Sequence, residues 1–215
     1  MRERSFGISG FTLKWIAMIC MLIDHMGAVL FPQYIQMRII GRLAFPIYCF
    51  LLVEGAVHTS DIRKYEKRLL LFAVLSELPF DLAFYGKVSL GHQNVFFTLL
   101  LGLVVIEQYQ RKREKLNNVL IFILAMVAAE ILHTDYGAGG IVLIFCFFVL
   151  YQNVFIKQAV FILANSLIYG IGVQIYAGLA AIPMLLYNGK RGPGMKYFFY
   201  IFYPAHLLIL YLIKY

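Results

Sequence analysis

The chain has 215 residues, of which 62% are hydrophobic, 16% aromatic and only 14% charged, with a mean hydropathy of +0.79. A soluble domain averages about 45–50% apolar and about 25% charged residues, so this composition excludes an ordinary soluble enzyme or binding module. The formal charge of +8 does not point to nucleic acid, because its bases fall in short breaks between apolar runs and form no stripe interleaved with aromatics.

Apolar runs long enough to cross a hydrocarbon core of about 30 Å recur from end to end. The first, Phe11 to Phe31, is too long for the h-region of a cleavable signal and is followed directly by further membrane segments. No polar stretch is long enough for a separate soluble unit. The expected fold is therefore all-α, a polytopic transmembrane helical bundle formed by residues 1–215 as a single domain.

The basic clusters set the topology. They are Arg2 and Arg4; Arg63, Lys64, Lys67 and Arg68; Arg111, Lys112, Arg113 and Lys115; Lys157; and Lys190, Arg191 and Lys196. If each faces the cytoplasm, an even number of crossings separates consecutive clusters. Phe11 to Thr59 is then a hairpin turning near Pro32, and Tyr65 to Tyr109 a second turning near Tyr85–His92. Val119 to Tyr151 is a third turning at Gly137–Gly140, Ala159 to Tyr187 a fourth turning near Gly170–Gly172, and Tyr197 to Tyr215 a last crossing. The expectation is nine spans, with the N-terminus inside and the C-terminus outside. The fourth hairpin is short: its residues reach only about 43 Å as α-helix, less than two full spans.

Ionisable residues at membrane depth are costly and persist where they face protein or a polar cavity. On this topology Asp24 and His25, Arg38 and Arg42, Glu77 and Asp81, Gln93 and Asn94, and Glu130, His133 and Asp135 gather at one level, toward the outside. Glu77 and Asp81 share a helix face, and Pro79 between them removes a backbone hydrogen bond. A carboxylate beside His25 would hold one ring nitrogen and raise the basicity of the other. Plainer roles stand beside these: packing for Arg42 with Glu77 or Asp81 and for His206, an interfacial place for Glu54, and helix capping for Gln93 and Asn94. Cys20, Cys49 and Cys146 lie in apolar runs without CxxC spacing and read as small buried hydrophobes. No HExxH or paired-histidine spacing is present, so no metal is expected.

The segments IAMICMLIDHMG, GRLAFPIYCFLLVEG, RLLLFAVLSELPFDLAF, QNVFFTLLLG and FYIFYPAHLLILYLI together resemble the TraX family of membrane proteins, over about Leu13 to Ile213. That resemblance implies a pilin-acetylase-like activity in the bacterial inner membrane. More distantly the chain is similar to membrane acyltransferases that draw on cytoplasmic acyl-CoA, whose first helix carries a basic residue followed about eleven positions later by histidine. Lys14 and His25 match, with lysine where arginine is commoner.

The expected reaction moves an acetyl group from acetyl-CoA to an amine or hydroxyl of an exported acceptor, such as a pilin or peptide N-terminus. His25 serves as general base or acyl carrier, with Asp24 or Glu77 orienting it and Arg42 or Asn94 stabilising the oxyanion. Asp81 and His133 complete the catalytic set. Lys14, Arg63, Lys64, Arg111 and Lys112 would hold the donor, and Gln93, Asp135, Tyr136 and His206 the acceptor. A proton-coupled transporter or channel using the same residues as a relay is the alternative, although the two halves show no similarity.

Overall fold

Local sequence signals define several helix boundaries. A computed structural model describes residues 6–111 and 114–215, and among these every regular element is a helix. Helix α1 (Gly10–Val29) starts at Ser9, whose Oγ accepts from Thr12 N at 3.2 Å. Helix α2 (Ile35–Gly41) and α3 (Ala44–His58) are separated only by Arg42 and Leu43 and together form one apolar span. Helix α4 (Ile62–Tyr85) is capped by Asp61, which accepts from Lys64 N at 3.0 Å, and it stops at Gly86 with φ 68°. It runs through Pro79 without a break.

Helix α5 (Val95–Gln110) begins under Asn94, whose Oδ1 accepts from Phe96 N at 3.1 Å. Then come α6 (Lys115–Ile131), α7 (Gly137–Val149) and α8 (Val154–Tyr169). A 3-10 helix (Val173–Ala180) leads into the short α9 (Ala181–Leu185), and α10 (Lys196–Lys214) closes the chain.

The connections gather at two ends. At the near end, where α1 begins, Ile8 N donates to Leu186 O at 2.9 Å, Gly10 N to Lys190 O at 2.8 Å and Gln110 Nε2 to Ala56 O at 3.5 Å. At the far end, Gln93 N donates to His133 O at 3.0 Å and Asp135 N to Gln93 O at 2.9 Å. The path among the described residues is thus four helical hairpins and a last helix. Among the described residues three helices are long and apolar enough to cross a membrane: Gly10–Val29, the joined Ile35–His58, and Tyr197–Lys214. The others are shorter or, like α4, carry a charged first turn.

Two expectations change in detail. The third hairpin turns at 132–136, just before the glycines: His133 (φ 49°) and Tyr136 (φ 68°) take left-handed conformations, and Gly137 (φ 48°) continues them into the start of α7. The glycines instead open α7 and allow close packing; a Cβ on Gly140 would lie 2.6 Å from Thr98 Cγ2. The short fourth hairpin gains reach from its eight-residue 3-10 limb, since a 3-10 rise of about 2.0 Å per residue exceeds the α-helical rise of about 1.5 Å. A main core has Leu13, Ala17, Ile47, Ala73, Leu103 and Ile144 fully buried, and a second, smaller cluster of Val105, Ala125, Ala129 and Ile141 seats α6 against α5 and α7.

Candidate functional site

The bundle encloses two cavities placed back to back. A near cavity of about 650 Å³ reaches the near-end segments through His58, Thr59, Gly189 and Arg191. A far cavity of about 210 Å³ reaches the far-end loops through Tyr85, His92 and Asp135. Met21, Tyr48, Val95 and Tyr203 line both, so one layer of side chains separates them.

His25, on α1, faces the far cavity. Its Nδ1 lies 2.7 Å from His206 Nε2, and His206 Nδ1 lies 2.7 Å from the Phe202 carbonyl one helical turn back. A carbonyl only accepts, so His206 Nδ1 carries the proton. In the neutral ring Nε2 must then accept, which makes His25 Nδ1–H the donor and leaves a lone pair on His25 Nε2. The two rings lie 7° from parallel with centroids 5.0 Å apart, and the edges of Phe84 and Tyr203 flank His25 at 5.4 and 5.8 Å. The imidazole is therefore fixed in orientation and tautomer by α4 and α10.

Beside it, Asp24 is 7% exposed and gripped by two arginines. Arg42 NH2 donates to both carboxylate oxygens, at 2.6 and 2.7 Å, and Arg38 NH1 to Oδ2 at 2.7 Å and to the Asp24 carbonyl at 3.0 Å. Arg42 Nε donates to Arg38 O at 3.3 Å, and its NH1 to Gln174 Oε1 at 3.3 Å. Gln174 sits on the 3-10 limb, where its carbonyl accepts from buried Asn165 Nδ2 at 2.9 Å. A side chain on Gly41 would overlap the Asp24 carboxylate. Arg38, Arg42, Asp24 and Asp135 all line the far cavity, so its wall presents two guanidinium groups and two carboxylates.

The structure brings together His25, Asp24, Arg42, Asp135, Tyr136 and His206. Asp135 and Tyr136 line the far cavity, where Tyr136 stacks on Phe45 with centroids 3.6 Å apart. The other expected outer residues point elsewhere. Glu77 Oε2 accepts from Asn94 Nδ2 at 2.5 Å, and the same Nδ2 donates to Ala73 O at 2.8 Å, so this pair ties α4 to α5. Asp81 is 1% exposed and accepts from Ser89 N at 2.8 Å. Gln93 staples two loops through its backbone, and His133 is exposed. The carboxylate expected beside His25 is replaced there by His206.

At the near end Lys14 lines the near cavity. Arg63 and Arg111 are drawn to Glu107, at 3.7 and 2.5 Å, and Lys64 to Asp61 at 3.2 Å; none of these three lines the cavity. Lys112 lies outside the described residues. The sequence reading missed Arg38 as a second partner of Asp24, as well as His92, Tyr48, Tyr203, Arg68 and Arg191. The i, i+4 spacing of Arg38 and Arg42 is the one local signal that reveals such a partner. His92 Nε2 lies 3.8 Å from Asp135 Oδ1, and the Asp135 carboxylate beside it raises its pKa above the usual histidine value against the opposing effect of burial.

An all-helical membrane protein with an internal polar site on each side of a thin partition is the class that these features define. Within that class, the chain belongs to the TraX family, whose family description, TraX protein, matches residues 9–214. It is 32% identical to the probable fimbrial assembly protein FimC, serogroup H1, of Dichelobacter nodosus, covering 97% of this chain and 96% of that one. An uncharacterized protein of Rickettsia prowazekii (strain Madrid E) is 32% identical over 42% of this chain and 33% of its own length. No solved structure matches the chain.

Proposed function

We propose that the protein is a multi-pass acetyltransferase of the bacterial inner membrane that moves an acetyl group from acetyl-CoA to an amine of an exported, pilin-type acceptor. In this reading the nine helical passes cross the bilayer, with the near end in the cytoplasm and the far end outside. The observation that carries it is the pair of cavities sharing Met21, Tyr48, Val95 and Tyr203, with the free Nε2 of His25 on the far side. A donor held from one face and an acceptor from the other then need only one short transfer through the partition. The fimbrial assembly relative supports a pilin-type acceptor.

His25 Nε2 takes the proton of the attacking amine as nitrogen bonds to the acetyl carbon. The carbon–sulfur bond breaks, and the departing thiolate takes the proton held on His25 Nε2 and leaves as the thiol. His206 orients the ring through its accepting Nε2. Arg38 and Arg42 supply donors and positive charge where the oxyanion develops, an effect of about 3–4 kcal/mol in a preorganised site. The lone pair also suits His25 to carry the acetyl group itself.

Purified protein in lipid vesicles, given acetyl-CoA labelled in the acetyl group and a pilin N-terminal peptide, tests the proposal. Labelled peptide formed only with His25 present supports it. Ion flux without thioester consumption would overturn it in favour of a transporter.

A further inference from the structure

Charge in the near cavity is arranged for a ligand. Lys14 from α1, Arg68 from α4 and Arg191 from the segment before α10 all line it. None of the three forms an ion pair among the described residues, whereas neighbouring Arg63, Arg111 and Lys64 are each neutralised by Glu107 or Asp61. Lys14 Nζ and the Arg68 guanidinium instead lie 5.8 and 5.4 Å from the ring centres of Phe199 and Tyr65. Such contacts hold a cation without cancelling its charge. Arg68 Nε is buried and has no hydrogen-bond partner among the described residues.

A second observation comes from the same cavity. Glu54 lines it and is only 7% exposed. Its Oε2 accepts from the hydroxyls of Tyr151 and Tyr187, at 3.2 and 3.4 Å, and lies 3.7 Å from His58 Nδ1, while its Oε1 is buried without a hydrogen bond among the described residues. Leaving such an oxygen unsatisfied is costly, so a cavity-lining one marks a place for a ligand N–H or O–H.

We infer that the near cavity binds a polyphosphorylated carrier with an amide-bearing arm, its phosphates held by Lys14, Arg68 and Arg191 and an arm N–H donated to Glu54. This deepens the acetyltransferase reading and rests on it for the identity of the carrier, a nucleotide-linked pantetheine thioester. Three cations that form no ion pair among the described residues suit several phosphates, and the aromatic walls suit a flat base.

Titration of the full-length protein in nanodiscs with unacylated CoA, pantetheine and adenosine 3′,5′-bisphosphate tests this without any turnover. CoA should bind with an affinity that falls as salt rises, and pantetheine should bind far more weakly. Arg68→Gln and Arg191→Gln should each weaken CoA about tenfold or more, while Arg63→Gln and Arg111→Gln leave binding unchanged. Glu54→Gln should weaken CoA but not the bisphosphate, which has no arm. Equal binding of pantetheine and CoA, or sensitivity to Arg63 in place of Arg68, would overturn the inference. Binding of inorganic pyrophosphate but not CoA would keep the anion site and reject the carrier, a result separable from any failure to find the acceptor.

Discussion

His25 on α1 and His206 on α10 are 181 residues apart in the chain and share a 2.7 Å hydrogen bond between nearly parallel rings. The Phe202 carbonyl sets the direction of that bond, and the bond sets which nitrogen of His25 is free. Removing either ring should therefore act on the same proton. His25→Ala should lower acetyl transfer by at least about 10². His206→Phe should cost about 10–100-fold, because the His25 ring is then free to present an N–H where a lone pair is needed. The pH–rate profile of His206→Phe should shift as well, which a merely structural loss would not produce. Unchanged rates in both variants would remove the pair from the mechanism.

Asp24 predicts a stability effect. Replacing it with Leu leaves Arg38 and Arg42 facing each other without their shared carboxylate, and breaking a buried pair by removing one partner costs about 3–5 kcal/mol. The melting temperature in detergent should fall by many degrees. Arg38→Gln should fall less, since its side chain is 30% exposed and Arg42 keeps its own bonds to Asp24. Equal losses would show that the two arginines are not ranked as their burial suggests.

The His92–Asp135 contact gives a pH dependence at the far-end loops. The Asp135 carboxylate beside it raises the pKa of folded His92, so the stabilisation is fully present below the unfolded value of about 6.5. It is lost as pH rises through the raised folded value. Both side chains are more than a third exposed, so the effect stays within about 1 kcal/mol. Amide exchange in 86–94 should quicken as pH climbs through that window, beyond its intrinsic pH dependence, and His92→Gln should abolish the excess.

Topology follows from the two ends of the bundle. A reporter fused after Lys115 should read cytoplasmic, and one within Tyr85–Gly91 or after Tyr215 external. A cytoplasmic reading after Tyr215 would mean an even number of crossings, with the short limb from Val173 to Leu185 the first place to look.

The hairpin plan was legible because basic clusters and apolar length act locally. The site was legible only in part. Asp24 and His25 stand out as charges within an apolar run, yet nothing near position 25 announces that its partner lies in YPAHLL. Periodicity correctly puts Glu77 and Asp81 on neighbouring turns, but it cannot say which helix faces them, and they meet Asn94 and Ser89 N instead. The basic residues of one cluster were likewise indistinguishable until α5 brought Glu107 against Arg63 and left Arg68 turned inward.

Met21, Tyr48, Val95 and Tyr203 each line both cavities, and a wall one side chain thick at these positions has a consequence for inhibition. A compound filling one chamber takes no volume from the other, so inhibitors shaped for the two ends should act independently. Joining them by a linker slim enough to thread the ring turns the second binding event into an intramolecular one, with an effective concentration in the millimolar range for a short tether. Such a two-headed molecule should bind far more tightly than either half, and widening the ring with Met21→Ala should relax the limit on how thick its waist can be.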